Sequence, residues 1–179
     1  MLKQPAIFLD RDGTIIQDVG YLKKPKDVEF FSGTFTTLLR LQERFLLFII
    51  TNQSGISKGI TTANEVMHVN DYLVEVLKSK GINISHVFCC PHSVEDNCNC
   101  RKPNPYFIQK AAKLYNLNLE DSYIIGDHPS DVECGLNSGV KPIYVLTGHG
   151  EKHKNELTTD CIICDNIIAA SKHILDTNN

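Results

Sequence analysis

Several things are missing from this 179-residue chain, and each absence closes off a class of function. There is no basic block: 18 Lys and Arg face 21 Asp and Glu, for a formal net charge of -3. Proteins that grip the phosphate backbone of nucleic acid concentrate positive charge, so no nucleic-acid partner is expected. Long apolar runs are also absent. The stretch Ala6 to Leu9, just after Met1-Leu2-Lys3-Gln4-Pro5, is too short for a signal-peptide core or a membrane span. Neither export nor membrane attachment is expected, and the cytoplasm is the expected compartment. No repeat, low-complexity tract or long linker breaks the chain, which reads as one domain over 1–179. With 42% hydrophobic and 22% charged residues, the composition is that of an ordinary water-soluble globular domain.

What is present is an alternation of short apolar runs with helical ones. Ala6 to Leu9, Phe45 to Ile50, Ser85 to Cys89, Tyr123 to Ile125, Pro142 to Leu146 and Cys161 to Ile163 read as strands. Most are apolar at successive positions, the mark of strands buried on both faces. Helices are expected over Thr34 to Arg40, Pro105 to Tyr115, Ser130 to Asn137 and Asn166 to Leu175. Another starts at Thr62, where Glu65 completes a capping-box spacing, carries Val66, Val69, Leu73, Val76 and Leu77 on one face, and stops at Gly81. This order predicts an α/β fold with a doubly wound, mostly parallel sheet, whose chemistry collects beyond the carboxyl ends of the strands.

Four polar motifs occupy such positions. Asp10-Arg11-Asp12-Gly13-Thr14 follows the first strand. Asp10 there can attack phosphorus, and Asp12 can protonate the leaving oxygen and later deprotonate a water. Gly13 lets the backbone turn close to a ligand; a plain acidic turn is the other reading. Thr51-Asn52-Gln53-Ser54-Gly55 follows the second strand and offers a hydroxyl and amides for phosphoryl oxygens, or simply a helix-capping loop. Arg101-Lys102-Pro103 brings an ammonium that could neutralise phosphate charge. Gly126-Asp127-His128-Pro129-Ser130-Asp131 follows the fourth strand. Asp10 and Asp127 carboxylates, with the Asp12 carbonyl, suit Mg²⁺. Asp131 is either an outer-shell partner of that ion or an acid at a helix N-terminus.

In this order the four motifs resemble those of the haloacid dehalogenase superfamily, over most of the span from Asp10 to Asp131. The resemblance implies a Rossmann-like core, Mg²⁺ and an aspartyl-phosphate intermediate formed on Asp10 from a small phosphorylated metabolite. No long insertion suggests a cap domain, and a monomer is expected.

A second cluster narrows the resemblance. Cys90, His92, Cys98 and Cys100 lie within eleven residues, and three thiolates with one imidazole suit a closed structural Zn²⁺ site. Inert reduced cysteines are the alternative. Cys89 is expected to point into the core, and Cys161-Ile162-Ile163-Cys164 to be plain core packing. The chain thus looks like the zinc-containing branch of these phosphatases, which includes enzymes for heptose bisphosphates and for histidinol phosphate. Residues 18–21 and 51–56 are more similar to the heptose group. By that resemblance Asp18, Gly20, Tyr21 and Arg101 contact substrate, alongside Asn52, Gln53 and Ser54, while Thr51 and Lys102 serve the phosphoryl group.

Overall fold

Ala6, Ile7, Phe8 and Leu9 have no polar side chain to turn towards water, and all four are buried in the central strand of a six-stranded sheet. The computed structural model describes residues 3–177. Along the chain run β1 (Ala6–Leu9), α1 (Thr34–Leu41), β2 (Leu46–Asn52), α2 (Ala63–Ser79), β3 (Ile84–Cys90) and α3 (Tyr106–Tyr115). Then come β4 (Tyr123–Gly126), α4 (Pro129–Ser138), β5 (Lys141–Val145), α5 (Gly150–His153), β6 (Ile162–Cys164) and α6 (Ile167–Thr177). The strand order is β3-β2-β1-β4-β5-β6, and every pairing is parallel. This is the doubly wound α/β sheet that the alternation of elements predicts.

Successive strand residues point to opposite faces, so each strand feeds two cores. Ile7, Leu9 and Ile49 meet Leu38 and Leu41 of α1, Val69 and Leu73 of α2, and Ile167 and Ile174 of α6. On the other face Phe8, Phe48, Ile50 and Phe88 meet Ile108 and Ala111 of α3 and Cys134 of α4. Aromatic rings run across that second core: Phe8 to Phe48 at 5.2 Å, Phe48 to Phe88 at 6.3 Å and Phe48 to Tyr115 at 5.0 Å between centroids. The α2 cap forms as its spacing predicts. The Thr62 side chain accepts from the Glu65 amide at 3.2 Å, and the Glu65 carboxylate accepts from the Thr62 amide at 2.8 Å.

One expectation about cysteines is overturned, and another holds in part. Ile162 and Ile163 are each 42% exposed, so the Cys161–Cys164 segment is not core packing. The cause is topology: β6 is a three-residue strand at the sheet edge, and only Cys164 packs partly against the core beneath α6. Cys89 is also only half-buried. Phe88 faces the aromatic core, whereas Cys89 lies on the same face as Val87, at the opposite edge of the sheet, and shares a pocket wall with Val66, Met67 and Asn70 of α2. Burial pushes its thiol pKa up to about 11.

β1 sits where the strand order switches direction, between β2 and β4, and the crevice at its carboxyl end is where a doubly wound sheet places its ligands. Substituting Phe48→Ala, which removes a ring in contact with three others, should cost about 3–5 kcal/mol in denaturant unfolding. Ile163→Thr at the open edge should change stability by no more than about 0.5 kcal/mol in the same assay.

Candidate active site

The strand ends bring three acids together. Asp10 follows β1, and its backbone amide donates to Ile125 O on β4 at 2.9 Å. Asp127 follows β4, so the two side chains emerge next to each other. Asp131 comes from the first turn of α4, where one of its oxygens accepts from the His128 amide at 3.1 Å and caps the helix. Its other oxygen, Oδ1, forms an ion pair with Lys102 Nζ at 2.6 Å. Asp131 therefore combines a helix-terminal role with membership of the acidic group. Carboxylate oxygens of Asp10, Asp127 and Asp131 all lie within 4.8 Å of one another, and all three residues are buried.

Such closeness requires glycine nearby. Gly13 has φ +84°, and a Cβ there would lie 2.0 Å from Asp127 Oδ2. Gly148 has φ +57°, and its Cβ would lie 2.3 Å from both Asp127 Oδ2 and Gly13 Cα. Thr147 Oγ1 donates to Gly13 O at 2.6 Å, and the His149 amide donates to Asp127 Oδ2 at 2.8 Å. The loop after β5 thus braces both acidic turns. Sequence reading passed over this loop, although its place at a strand end was the signal that found the others.

The electrostatics follow from crowding. Burial raises the Asp10 pKa well above the ordinary carboxylate value; Lys102 works against that shift, while Asp131, Asp127 and Asp12 add to it. Burial, then the neighbouring Asp131, raises Asp127 to about 7. Burial alone would disfavour the Lys102 ammonium, but Asp10 and Asp131 outweigh it and hold its pKa above the usual lysine value. Lys102 Nζ donates to Asp10 Oδ1 and, at 3.0 Å, to Ile50 O. Three carboxylates facing one ammonium leave two negative charges uncompensated, which is the charge of a hard divalent cation.

Asp12 stands apart from that group although it lines the same cleft, a cavity of about 160 Å³. Its carboxylate accepts from Arg11 Nε at 2.9 Å, Arg11 Nη2 at 3.0 Å and Gln53 Nε2 at 2.9 Å. Thr51 and Asn52 also line the cleft, and Asn52 brackets the Lys102 backbone: its oxygen accepts from the Lys102 amide at 3.1 Å and its nitrogen donates to the Lys102 carbonyl at 3.2 Å. Gln53 turns instead towards Asp12 and Thr51, while Gly20, Tyr21 and Ser54 are not in the cleft wall. Asp18 reaches the rim, where Oδ1 accepts from the Gly20 amide at 2.7 Å and Oδ2 pairs with His149 Nε2 at 3.0 Å. Arg101 lines the wall and donates to His92 O at 3.2 Å.

That wall is held by the cysteine loop. The sulfur atoms of Cys90, Cys98 and Cys100 are 3.3–3.7 Å apart, and His92 Nδ1 lies 3.6 Å and 3.4 Å from the Cys90 and Cys100 sulfurs. A tetrahedral ion with metal–sulfur and metal–nitrogen distances of about 2.3 and 2.0–2.1 Å sets its donors roughly 3.6–3.8 Å apart, so the four atoms fit one. Burial works against the Cys98 thiolate, but the backbone amides of Cys100 and Arg101 outweigh it and lower its pKa to about 7. Burial raises those of Cys90 and Cys100.

Fold and site together define a HAD-like hydrolase, and a family model described as HAD-hydrolase-like matches residues 99–170. A D-glycero-beta-D-manno-heptose-1,7-bisphosphate 7-phosphatase of Helicobacter pylori is 44% identical over 144 residues, covering 79% of this chain and 83% of that protein. A D-glycero-alpha-D-manno-heptose-1,7-bisphosphate 7-phosphatase of Photorhabdus laumondii is 34% identical over 181 residues, covering 96% and 97%. The crystal structure of a D,D-heptose 1,7-bisphosphate phosphatase from B. bronchiseptica, complexed with magnesium and phosphate, superimposes with a TM-score of 0.89 at 28% identity, over 97% of this chain and 99% of that one. The chain belongs to the family of D-glycero-D-manno-heptose-1,7-bisphosphate 7-phosphatases.

Because the Asp127 pKa is raised to about 7, protons compete with a cation for this site. A raised carboxyl pKa makes the cation-free fold lose stability as pH climbs from the unfolded value, about 4, towards 7. Mg²⁺ should therefore raise the melting temperature more at pH 8 than at pH 6, and Asp127→Asn should remove most of that difference.

Proposed function

We propose that this enzyme removes the 7-phosphate of D-glycero-D-manno-heptose 1,7-bisphosphate, with Asp10 as nucleophile. The observation that carries the mechanism is the Asp10 carboxylate, buried at the end of β1 and held by Lys102 among two further acids. The curated relatives favour a heptose bisphosphate over histidinol phosphate as substrate.

In this reading the phosphoryl group enters the cleft with Thr51 and the Lys102 ammonium on its oxygens. Asp10 attacks phosphorus as the bond to the sugar oxygen breaks, and Asp12, as the acid, gives that oxygen its proton. The Asp12 carboxylate then takes a proton from a water that attacks the aspartyl-phosphate, releasing inorganic phosphate and restoring Asp10. Asp10, Asp127 and the Asp12 carbonyl would hold Mg²⁺, which supplies charge neutralisation to the transferring phosphoryl group. Arg101 and Asp18 both line the cleft, and in this reading Arg101 would meet the distal phosphate and Asp18 the sugar hydroxyls. Asn52 lines the cleft, Gly20 supports Asp18 through its amide and Gln53 supports Asp12, while Tyr21 and Ser54 lie outside the cleft wall. Cys90, His92, Cys98 and Cys100 would hold Zn²⁺ in a closed structural site, with the spacing of their donor atoms as its support.

Asp10→Asn should abolish phosphate release from the bisphosphate, because an amide cannot form the acyl-phosphate; near-normal turnover by a verified preparation would remove the mechanism. Metal analysis of the purified protein should find one Zn²⁺ per chain. Cys98→Ser should lose that ion, melt earlier and turn over more slowly, because Arg101 and Lys102 directly follow the loop.

A further inference from the structure

Arg11 is the largest side chain in the fully buried set, only 1% exposed, yet it carries a charge. A buried guanidinium persists only where its donors are met. Nε and Nη2 form a fork on the Asp12 carboxylate, at 2.9 and 3.0 Å. Nη1 donates to Asn70 Oδ1 at 2.7 Å. Asn70 is itself out of place by composition, a buried amide within the apolar stripe of α2 formed by Val66, Val69, Leu73 and Leu77. Its contact with Arg11 gives that amide a reason to be there. Asn70 does not line the cleft, so it has no direct access to substrate.

We propose that Arg11, anchored from behind by Asn70, is a positioning residue that sets the orientation of Asp12 for proton transfer. The proposal rests on the phosphatase reading above and deepens it. An aspartate has two free side-chain torsions, and proton transfer requires its oxygen within hydrogen-bond reach of the leaving group. Here the carboxylate is gripped from two sides: by the Arg11 fork and by Gln53 Nε2 at 2.9 Å, with Thr51 Oγ1 further off at 3.4 Å. These contacts hold Asp12 clear of the Asp10, Asp127 and Asp131 group while leaving it in the same cleft. Asn70 fixes the far end of the guanidinium, tying the turn after β1 to the middle of α2.

The test separates an Asp12 defect from general damage through the leaving group. A sugar alkoxide must be protonated as it departs, whereas p-nitrophenolate leaves without help. Both esters are followed in single turnovers, with enzyme in excess, for the wild type, Arg11→Lys, Asn70→Ala and Asn70→Asp. Arg11→Lys and Asn70→Ala should consume heptose bisphosphate at least about 10-fold more slowly, while p-nitrophenolate release stays within about 2-fold of wild type. KM for the bisphosphate should hold within about 2-fold, because neither residue touches substrate. Asn70→Asp keeps an acceptor oxygen for Arg11 and should recover most of the loss. Should Arg11→Lys fail to fold, the two Asn70 variants decide. Equal slowing on both esters, or no slowing on the sugar ester, overturns the assignment and leaves the phosphatase reading standing. A wild type that releases phosphate from neither ester overturns that reading and this assignment with it.

Discussion

Like charges held a few ångströms apart with little water between them repel strongly, and the rest of the site can be understood as an answer to that repulsion. Asp10, Asp127 and Asp131 share such a space, and Lys102 offsets one charge of three. The unfavourable charge is visible in the raised pKa values of Asp10 and Asp127, whose first cause is burial. In the proposed reading a cation and a phosphoryl group would bring the compensating interactions when they bind, which gives the fold a reason to keep the arrangement. The close packing at Gly13 and Gly148 belongs to the same constraint, since side chains there would drive the acids apart.

Lys102 has to be delivered into this group by a segment with little core of its own. Residues 91–105, between β3 and α3, contain no helix or strand, and their tethers are specific. Asn52 brackets the Lys102 backbone from the end of β2, and four sulfur and nitrogen atoms converge at the loop's base. The two clusters differ in chemistry. Oxygen donors beside an open cleft suit a hard ion that must also touch substrate, whereas soft donors that close around their own centre suit an ion that only holds chain. In the proposed reading a purely structural ion therefore reaches the reaction through the two residues that follow its last ligand, Arg101 and Lys102.

The sheet was legible because its strands are apolar at successive positions and its motifs fall at strand ends, a rule of topology that a sequence can display. Five of the expected strands shift by one or two residues at an end: β2 runs on to Asn52 and β3 to Cys90, so Thr51 and the first metal-type ligand, Cys90, are strand residues and not loop residues. What could not be read was any property set by which strand lies at an edge. Cys161–Cys164 looks like core by composition, and its exposure follows only from β6 being outermost. Likewise, nothing in the sequence joins Arg11 to Asn70, fifty-nine positions apart, or Thr147 to Gly13, because those contacts exist only once helices and strands have packed. Gln53, expected to contact substrate, turns its side chain to Asp12 and Thr51, a pairing that its position in the motif does not display.

With no large cap domain over the sheet among the described residues, the proposed reading leaves discrimination between phosphate esters to the rim. Asp18 is fixed there at both oxygens, by the Gly20 amide at 2.7 Å and by His149 at 3.0 Å, so it is already ordered before any sugar arrives. Preordering of this kind lowers the entropy lost on binding. Arg101 is likewise restrained by the His92 carbonyl, with donors of its fork still available to an anion. In the proposed reading, a rim that holds an acid and a guanidinium on one cleft would favour a substrate bearing hydroxyls and a second anionic group over a plain monoester. Binding energy taken up at that distance would, in the same reading, hold the reacting phosphate in line with Asp10, so that a cleft of about 160 Å³ could gain rate without enclosing the substrate.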